Sequence, residues 1–382
     1  MTGRVLMVSN GTGEDLIAAS IAAPLQAAGV TVTAYPLVGT GAYPPSVPLL
    51  GPCRMLPSGG FSMRAGLRGL GDDLAAGLIG LWLGQRRTVS SQRGRHDLVV
   101  AVGDAYCLGM AAHAAPRVAF VSTADSVRIS EFGALAISVM RRSASRIFTR
   151  DPDTAQALAA MGLPAVSLGN VMMDLVGNAG ETFGLPPEAQ VVTLLPGSRA
   201  DAPGNAALLA QAAQAIAAEE PEVRFLLPVA RTVNAEDILH HLLQAAPCRS
   251  GATVGGTTAS GATVGGAHIA LTTAFADAVA RASVVVGMAG TANEQAAGLG
   301  KPVVAFPGPG AQFTPAFLQM QHRLLGEALI PARDWREAAA ATVRLLRDPD
   351  ERERRGAVGR ARMGPPGGSH LIAEALLAMI SG

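Results

Sequence analysis

Short apolar runs alternate with longer segments of helical period along the chain, and the alternation starts afresh once. RVLMVS (4–9), TVTAYPL (31–37), DLVVAVG (97–103), RVAFVS (117–122) and RIFTR (146–150) read as buried strands. Helix-like segments separate them, the first over 14–28 with Gly29 as its stop. AVSLGN (165–170) closes this half. A strand–helix rhythm of this kind implies a parallel sheet with helices on both faces. Residues 171–188 hold Gly177, Gly180, Gly184, Pro186 and Pro187, a composition that breaks periodic structure, and they read as a linker. The rhythm then resumes with QVVTLLPGS (190–198), a helix over 204–219, VRFLLPV (223–229), HIALTT (268–273), SVVVGMAG (283–290) and KPVVAFPG (301–308), with helical stretches at 274–282 and 291–299. The pattern predicts two similar α/β domains, 1–170 and 189–360. The tail, 361–382, ends in a helix over 369–381 expected to pack back on the first domain. SGATVGG occurs at 250–256 and again at 260–266 and reads as a surface loop or hairpin.

Composition narrows the class. The 382 residues suit two domains, and 49% hydrophobic against 15% charged residues leaves ample material for two cores. A net charge of +1 gives no electrostatic reason to expect nucleic acid as a partner. Cys53, Cys107 and Cys248 are widely spaced, with no metal-ligand or disulfide pattern. No metal and no cofactor are expected. His113, His268 and His322 sit in apolar contexts, and the adjacent His240 and His241 diverge on a helix. The first residues lack a signal-peptide pattern and no run approaches the roughly 18 apolar residues of a membrane span, so the expectation is a cytoplasmic protein.

Three segments carry candidate chemistry. The first, SNGTGED (9–15), joins the first strand to the first helix at the edge of a parallel sheet where α/β proteins bind ligands. Asn10, Gly11, Thr12, Gly13 and Glu14 form its ligand-side loop, Gly11 and Gly13 allowing close backbone approach to the unpaired N–H groups of a helix start. It is not GxGxxG, which argues against a dinucleotide site. Asp15, at the start of the helix, should be held below the usual carboxylate range by the dipole. The second segment, LLPGSR (194–199), occupies the equivalent place in the second half. Gly197 makes the turn, Ser198 can hydrogen-bond an oxyanion and Arg199 can grip phosphate. The third, 284–308, runs from a strand through a small-residue turn containing Gly290 and Thr291 into a helix with Glu294 one turn inside. Such a turn leaves room for a diphosphate, and Glu294 can accept hydrogen bonds from two ribose hydroxyls. Lys301, the only lysine, follows.

These segments, in this order, resemble GT-B glycosyltransferases that act on lipid-linked acceptors: lipid-A-disaccharide synthase, the group related to it and, more distantly, the peptidoglycan undecaprenyl-pyrophosphoryl-muramoyl-pentapeptide N-acetylglucosaminyltransferase. The resemblance covers most of the chain, with motif-like stretches at 9–15, 97–106, 194–199 and 284–325. It implies two Rossmann-like domains facing across a cleft, the acceptor on the first and a UDP-sugar on the second. It also implies inverting transfer without metal. The synthase's first loop ends Gly-Asp-Leu where Glu14-Asp15-Leu16 stands here, and its Gly-Ile-Asp-Ala segment resembles VGDAY with Asp104. Asp104 or Asp15 is therefore the implied base, with Asp104, the less solvated of the two, better suited to proton transfer. LLPGSR matches directly, whereas the acid that follows in the synthase has no clear match in Ala200-Asp201-Ala202. Gln312, Gln319 and Gln321 fall where relatives contact the donor.

Two further expectations concern partners. Arg64, Arg68, Arg86 and Arg87 flank an apolar pattern with Trp82 over 61–87, suited to peripheral contact with an anionic membrane or to a buried helix. A UDP-sugar 2-epimerase of the same architecture, or a nucleotide-sugar-binding protein without activity, fits the same motifs.

Overall fold

The computed structural model describes residues 3–38, 41–51, 53, 78–177, 179–245, 253–255 and 259–381. The chain forms two compact units, Met1–Leu175 with Pro365–Gly382, and Val176–Gly364. Residues 171–175, expected in the linker, thus belong to the first unit.

The first unit is built on six parallel strands: β1 (Arg4–Ser9), β2 (Thr31–Pro36), β3 (Leu98–Gly103), β4 (Val118–Ser122), β5 (Ala144–Thr149) and β6 (Ala165–Val166), in the order β2-β1-β3-β4-β5-β6. Alternate side chains enter opposite faces, as a period of two requires. Leu6, Val8, Val99, Ala101 and Phe120 join one core, and Val5, Met7, Val100, Val102 and Val121 the other. Helices α1 (Thr12–Ala27), α2 (Leu78–Ser91), α3 (Ala105–Ala111), α4 (Ala134–Ser143) and α5 (Pro152–Ala160) cover the sheet. The chain leaves β1 toward β2 on one side and returns to β3 on the other, so a crevice opens at the carboxyl ends of β1 and β3.

The second unit repeats this logic. Its sheet has the order β14-β13-β12-β7-β8-β11-β10-β9. These strands are β7 (Val191–Leu195), β8 (Arg224–Pro228), β9 (Thr253–Gly255), β10 (Ala259–Val264), β11 (Ala267–Thr272), β12 (Val284–Gly287), β13 (Val303–Ala305) and β14 (Leu329–Pro331). β7, β8, β11, β12, β13 and β14 pair in parallel, and the reversal of direction lies between β7 and β12. The other end is antiparallel, in keeping with the hairpin reading of SGATVGG. The second SGATVGG copy runs along β10 and turns through Gly265 and Gly266, both at positive φ, into β11. Of the first copy, 253–255 form β9, and the remainder, like Cys248, lies outside the described residues. The helices are α6 (Ala202–Glu219), α7 (Ala235–Gln244), α8 (Phe275–Arg281), α9 (Thr291–Gly298), α10 (Pro315–Leu325), α11 (Trp335–Arg347) and α12 (Pro349–Met363), and α13 (Gly368–Ser381) returns to the first unit.

Candidate functional site

The first unit brings two of the sequence-nominated segments together at its crevice. After β1 the chain has only Asn10 and Gly11 before α1 begins at Thr12, so Thr12, Gly13 and Glu14 are the first helical turn rather than a loop. Gly11 has φ 142° and no side chain caps α1, which leaves first-turn N–H groups open. After β3, Gly103 at φ 148°, a conformation that favours glycine, lies beside Asn10, Cys107 and Glu14, so the two loops are close. The Asn10 amide donates to Asp104 Oδ1 at 3.5 Å, and Asp104 Oδ1 also accepts from Cys107 N at 3.0 Å as the cap of α3. Burial raises the Asp104 carboxyl above its ordinary value, the Cys107 N–H opposes this, and nearby Asp125 raises it further. A half-buried carboxylate of raised pKa is chemically suited to accept a proton.

Asp15 departs from expectation. It is fully buried. Ser9 donates its hydroxyl to Asp15 Oδ1 at 2.6 Å and Ala42 N donates to Oδ2 at 3.2 Å. Because Ser9 spends its only proton on Asp15, the Tyr43 hydroxyl, 2.8 Å away, must be the donor to Ser9. Asp15 therefore ends a buried chain that pins the 41–43 segment. Desolvation outweighs the hydrogen bonds from Ser9 and from the Ala42 and Gly41 backbone and raises its pKa, the reverse of the predicted direction. Cys107 is buried, with burial pushing its thiol well above the ordinary value, and is not a nucleophile.

In the second unit, LLPGSR leaves β7 and the small-residue turn leaves β12, on either side of the crevice. Gly197 has φ 98°, and a Cβ there would touch Met288 O at 3.4 Å. Gly290 precedes α9 with no side-chain cap, so the α9 N-terminus is open, with Thr291 exposed and Glu294 half-buried in the first turn. The exposed Arg199 donates to the side chain of Gln312, whose N–H donates to Asp201 Oδ2 at 2.9 Å. Asp201 thus ties the 310–312 segment to the Arg199 turn. Ser198 is exposed and its carbonyl accepts from Thr232 Oγ1 at 2.7 Å.

Sequence reasoning missed Asn293 beneath the turn and set Gln321 at the donor, whereas Gln321 bonds the backbone of the turn itself. Asn293 is fully buried and donates to Gln321 Oε1 at 2.9 Å, while Gln321 donates to the carbonyls of Ala289 at 3.2 Å and Gly290 at 2.9 Å. Two uncharged side chains on α9 and α10 thereby fix the backbone ahead of α9. The hint was a buried-position Asn and Gln in otherwise apolar faces. Gln319 takes no part in this network. Lys301 starts the lead-in to β13, at the strand end away from the crevice.

Of the 61–87 segment, 61–77 with Arg64 and Arg68 lie outside the described residues, and Trp82, Arg86 and Arg87 stand on α2. Among the described residues no helix is long and apolar enough to cross a membrane, and no group of three or more His, Cys, Asp or Glu could hold a metal ion.

No protein-family model matches the chain, and no curated protein matches it. Solved structures do match. The calicheamicin glycosyltransferase CalG4 aligns over 100% of this chain and 98% of its own, with TM-score 0.62 and 12% identity. MurG of Acinetobacter baumannii aligns over 98% and 99%, with TM-score 0.58 and 13% identity. The UDP-GlcNAc 2-epimerase of Neisseria meningitidis, solved with UDP-GlcNAc, aligns over 98% and 100%, with TM-score 0.53 and 14% identity. The chain has the two-domain α/β GT-B fold these structures share.

Proposed function

We propose that the chain is an inverting, metal-independent glycosyltransferase related to lipid-A-disaccharide synthase, moving a sugar of the N-acetylhexosamine kind from a UDP-sugar to a lipid-linked or amphiphilic acceptor. One observation carries this most: at each sheet's reversal point the structure gathers the segments nominated from sequence, the open α9 N-terminus with Glu294 and Arg199 in one unit and Asp104 in the other. The N–H groups at the start of α9 and the Arg199 guanidinium would hold the diphosphate, and Glu294 the ribose. The acceptor oxygen attacks the anomeric carbon as its proton passes to Asp104. The bond from that carbon to the diphosphate breaks and UDP leaves with the electron pair. Peripheral contact with the inner face of the cell membrane fits the basic residues of α2.

Asp104, Glu14 and Asp125 gather at one edge, and a carboxylate cluster of this kind also suits a UDP-sugar 2-epimerase. Incubation with UDP-GlcNAc in deuterated water separates the readings. UDP release that requires an amphiphilic acceptor, without deuterium at C2 of the sugar, supports transfer; deuterium at C2 without acceptor supports epimerisation. Binding with neither leaves a nucleotide-sugar-binding protein. In calorimetry, Glu294→Ala should weaken UDP binding about tenfold to a hundredfold, since charge-assisted bonds to two hydroxyls contribute about 1.5–3 kcal/mol. An unchanged dissociation constant would mark Glu294 as a solvated helix residue.

A further inference from the structure

Lys301 is the only lysine of the chain, and it stands at the foot of the second unit's sheet, in the lead-in to β13. It is half-buried, and among the described residues its ammonium has neither a hydrogen-bond nor an ion-pair partner. Two arginines flank it instead. The register that sets Val285 opposite Val303 carries Ser283 alongside Lys301, and Arg281 ends α8 two residues earlier. The Arg281 guanidinium is held there by the carbonyls of Pro186 at 2.8 Å and Pro187 at 3.2 Å. On α12, Arg360 lies against Gly300, where a Cβ would run into its guanidinium. Arg360 is tethered in turn by Glu353 of its own helix. The charged groups around Lys301 are thus two guanidinium ions and one carboxylate, and Arg360 already engages that carboxylate. Loss of water and repulsion from both arginines lower the Lys301 pKa, with Glu353 opposing them.

We propose that Lys301 is an acylation site, its amine taking the acyl group of a small acyl phosphate that the two arginines draw in. An amine beside other cations and partly stripped of water is a nucleophile at neutral pH, where an ordinary lysine is almost wholly protonated. The guanidinium groups of Arg281 and Arg360 supply the charge that gathers a dianionic donor. The Lys301 nitrogen attacks the acyl carbon and forms an amide bond. The bond from that carbon to the phosphate oxygen breaks, the phosphate leaves with the electron pair, and the proton lost by the nitrogen ends on it. Acylation removes the one positive charge of the group that has no counter-ion. The site lies at the opposite strand end from Gly290 and Thr291, so its chemistry does not depend on what the crevice binds.

The test incubates the full chain with acetyl phosphate, with Nα-acetyl-lysine amide in the same tube as an ordinary lysine, and follows acetylation of each by mass spectrometry. No other lysine competes, and the terminal amine falls in a different peptide. In the folded chain Lys301 should be acetylated several-fold faster than the reference at neutral pH, because each pH unit by which its titration falls raises the amine fraction about tenfold. The advantage should vanish in concentrated guanidinium chloride. The rate should level off at a lower pH than the reference rate, since a lowered pKa frees the amine earlier as pH rises. Arg360→Gln, folded by circular dichroism, should slow the reaction several-fold with acetyl phosphate and less with the uncharged donor p-nitrophenyl acetate. Arg281→Gln should behave alike, and serves where Arg360→Gln does not fold. A folded Lys301 no faster than the reference, or an advantage that survives unfolding, overturns the proposal. So does an unchanged rate in both folded arginine variants. An equal loss with the two donors overturns the acyl phosphate as the donor that the arginines select.

Discussion

Asp15 and Asp104 stand at the same sheet edge, and burial raises both, yet their partners give them different work. Asp15 is spent on Ser9 and on the backbone of the 41–43 segment. Removing it by Asp15→Ala strands a buried hydroxyl and a backbone N–H, at a cost of about 1–3 kcal/mol in urea unfolding. Asp15→Asn keeps both bonds if its oxygen faces Ala42 and Ser9 turns to accept, so it should cost far less. The pH effect has a defined sign. A carboxyl raised in the folded state contributes stability when protonated, below its unfolded value, and loses it as pH rises through the folded value. Asp15→Asn should therefore flatten the fall in stability from about pH 3.8 upward; an unchanged slope would show that Asp15 titrates normally. Asp104 retains a path to the crevice. Asp104→Asn should lower kcat by about 10²–10⁴-fold with donor affinity kept, and the acid limb of the wild-type kcat/KM profile should lie above the ordinary carboxylate value and vanish in the variant. Near wild-type kcat would remove Asp104 from the chemistry. The sequence made both acids visible through their Gly-rich settings. It ranked Asp104 as the less solvated of the two, and the structure reverses that order, with Asp15 fully buried and Asp104 half-buried; Asp15's burial depends on Tyr43 and Ala42, distant in the chain.

At the level of elements, the strongest signals were the hydrophobic strands, whose side-chain alternation reappears as two cores on one sheet. Boundaries were less legible: Thr12 and Gly13 look like loop residues, yet α1 starts there. The β9–β10 extension was legible only as a loop or hairpin, because SGATVGG is built of small residues and carries no apolar alternation to mark strands joined to the sheet. Helix contacts were hidden for a similar reason. α12 sits on α9, the helix bearing Glu294, through Gly356 and Gly359, where a Cβ would run into the carbonyls of Gly300 and Ala297. Each helical glycine costs about 1 kcal/mol against alanine, and the close approach offsets it. Gly359→Ala would gain that propensity but force apart two backbones, and overpacking costs about 1–3 kcal/mol. A carbonyl, unlike a side chain, cannot swing aside, so overpacking should win. We expect a lower urea midpoint and weaker UDP binding in calorimetry as α9 shifts. An unchanged midpoint would mean the helices separate without strain.

The whole molecule divides unevenly along the chain. Val176–Gly364 is continuous, while the first unit takes its last helix from the far end of the sequence. Asp174 accepts N–H bonds from Gly367 and, at 2.6 Å, from Ser369, which fixes the start of α13. Ile372, Ala373 and Leu376 are then buried in the same core as Ile17, Ile21 and Leu25 of α1. Sequence periodicity revealed the α13 helix, but Asp174 as its anchor needed the fold, since nearly two hundred residues separate the partners. On its other side the 179–181 segment is held by Asp277, which accepts from Ala179, Gly180 and Glu181 at 2.8–3.2 Å, so the second unit secures its own entry segment. Burying a large aliphatic side chain is worth about 1.5–3 kcal/mol, so losing Ile372 and Leu376 together removes about 3–6 kcal/mol from a unit whose total stability is of the order of 5–15 kcal/mol. The second unit keeps its whole chain when isolated. A fragment of residues 176–364 should therefore melt cooperatively by circular dichroism, while 1–175 alone should show a shallow transition that sharpens when a peptide of residues 365–382 is added. A cooperative melt of 1–175 without the peptide, at the temperature seen for the full chain, would reduce α13 to an accessory. A non-cooperative 176–364 would show that the second unit depends on the first despite its continuous chain.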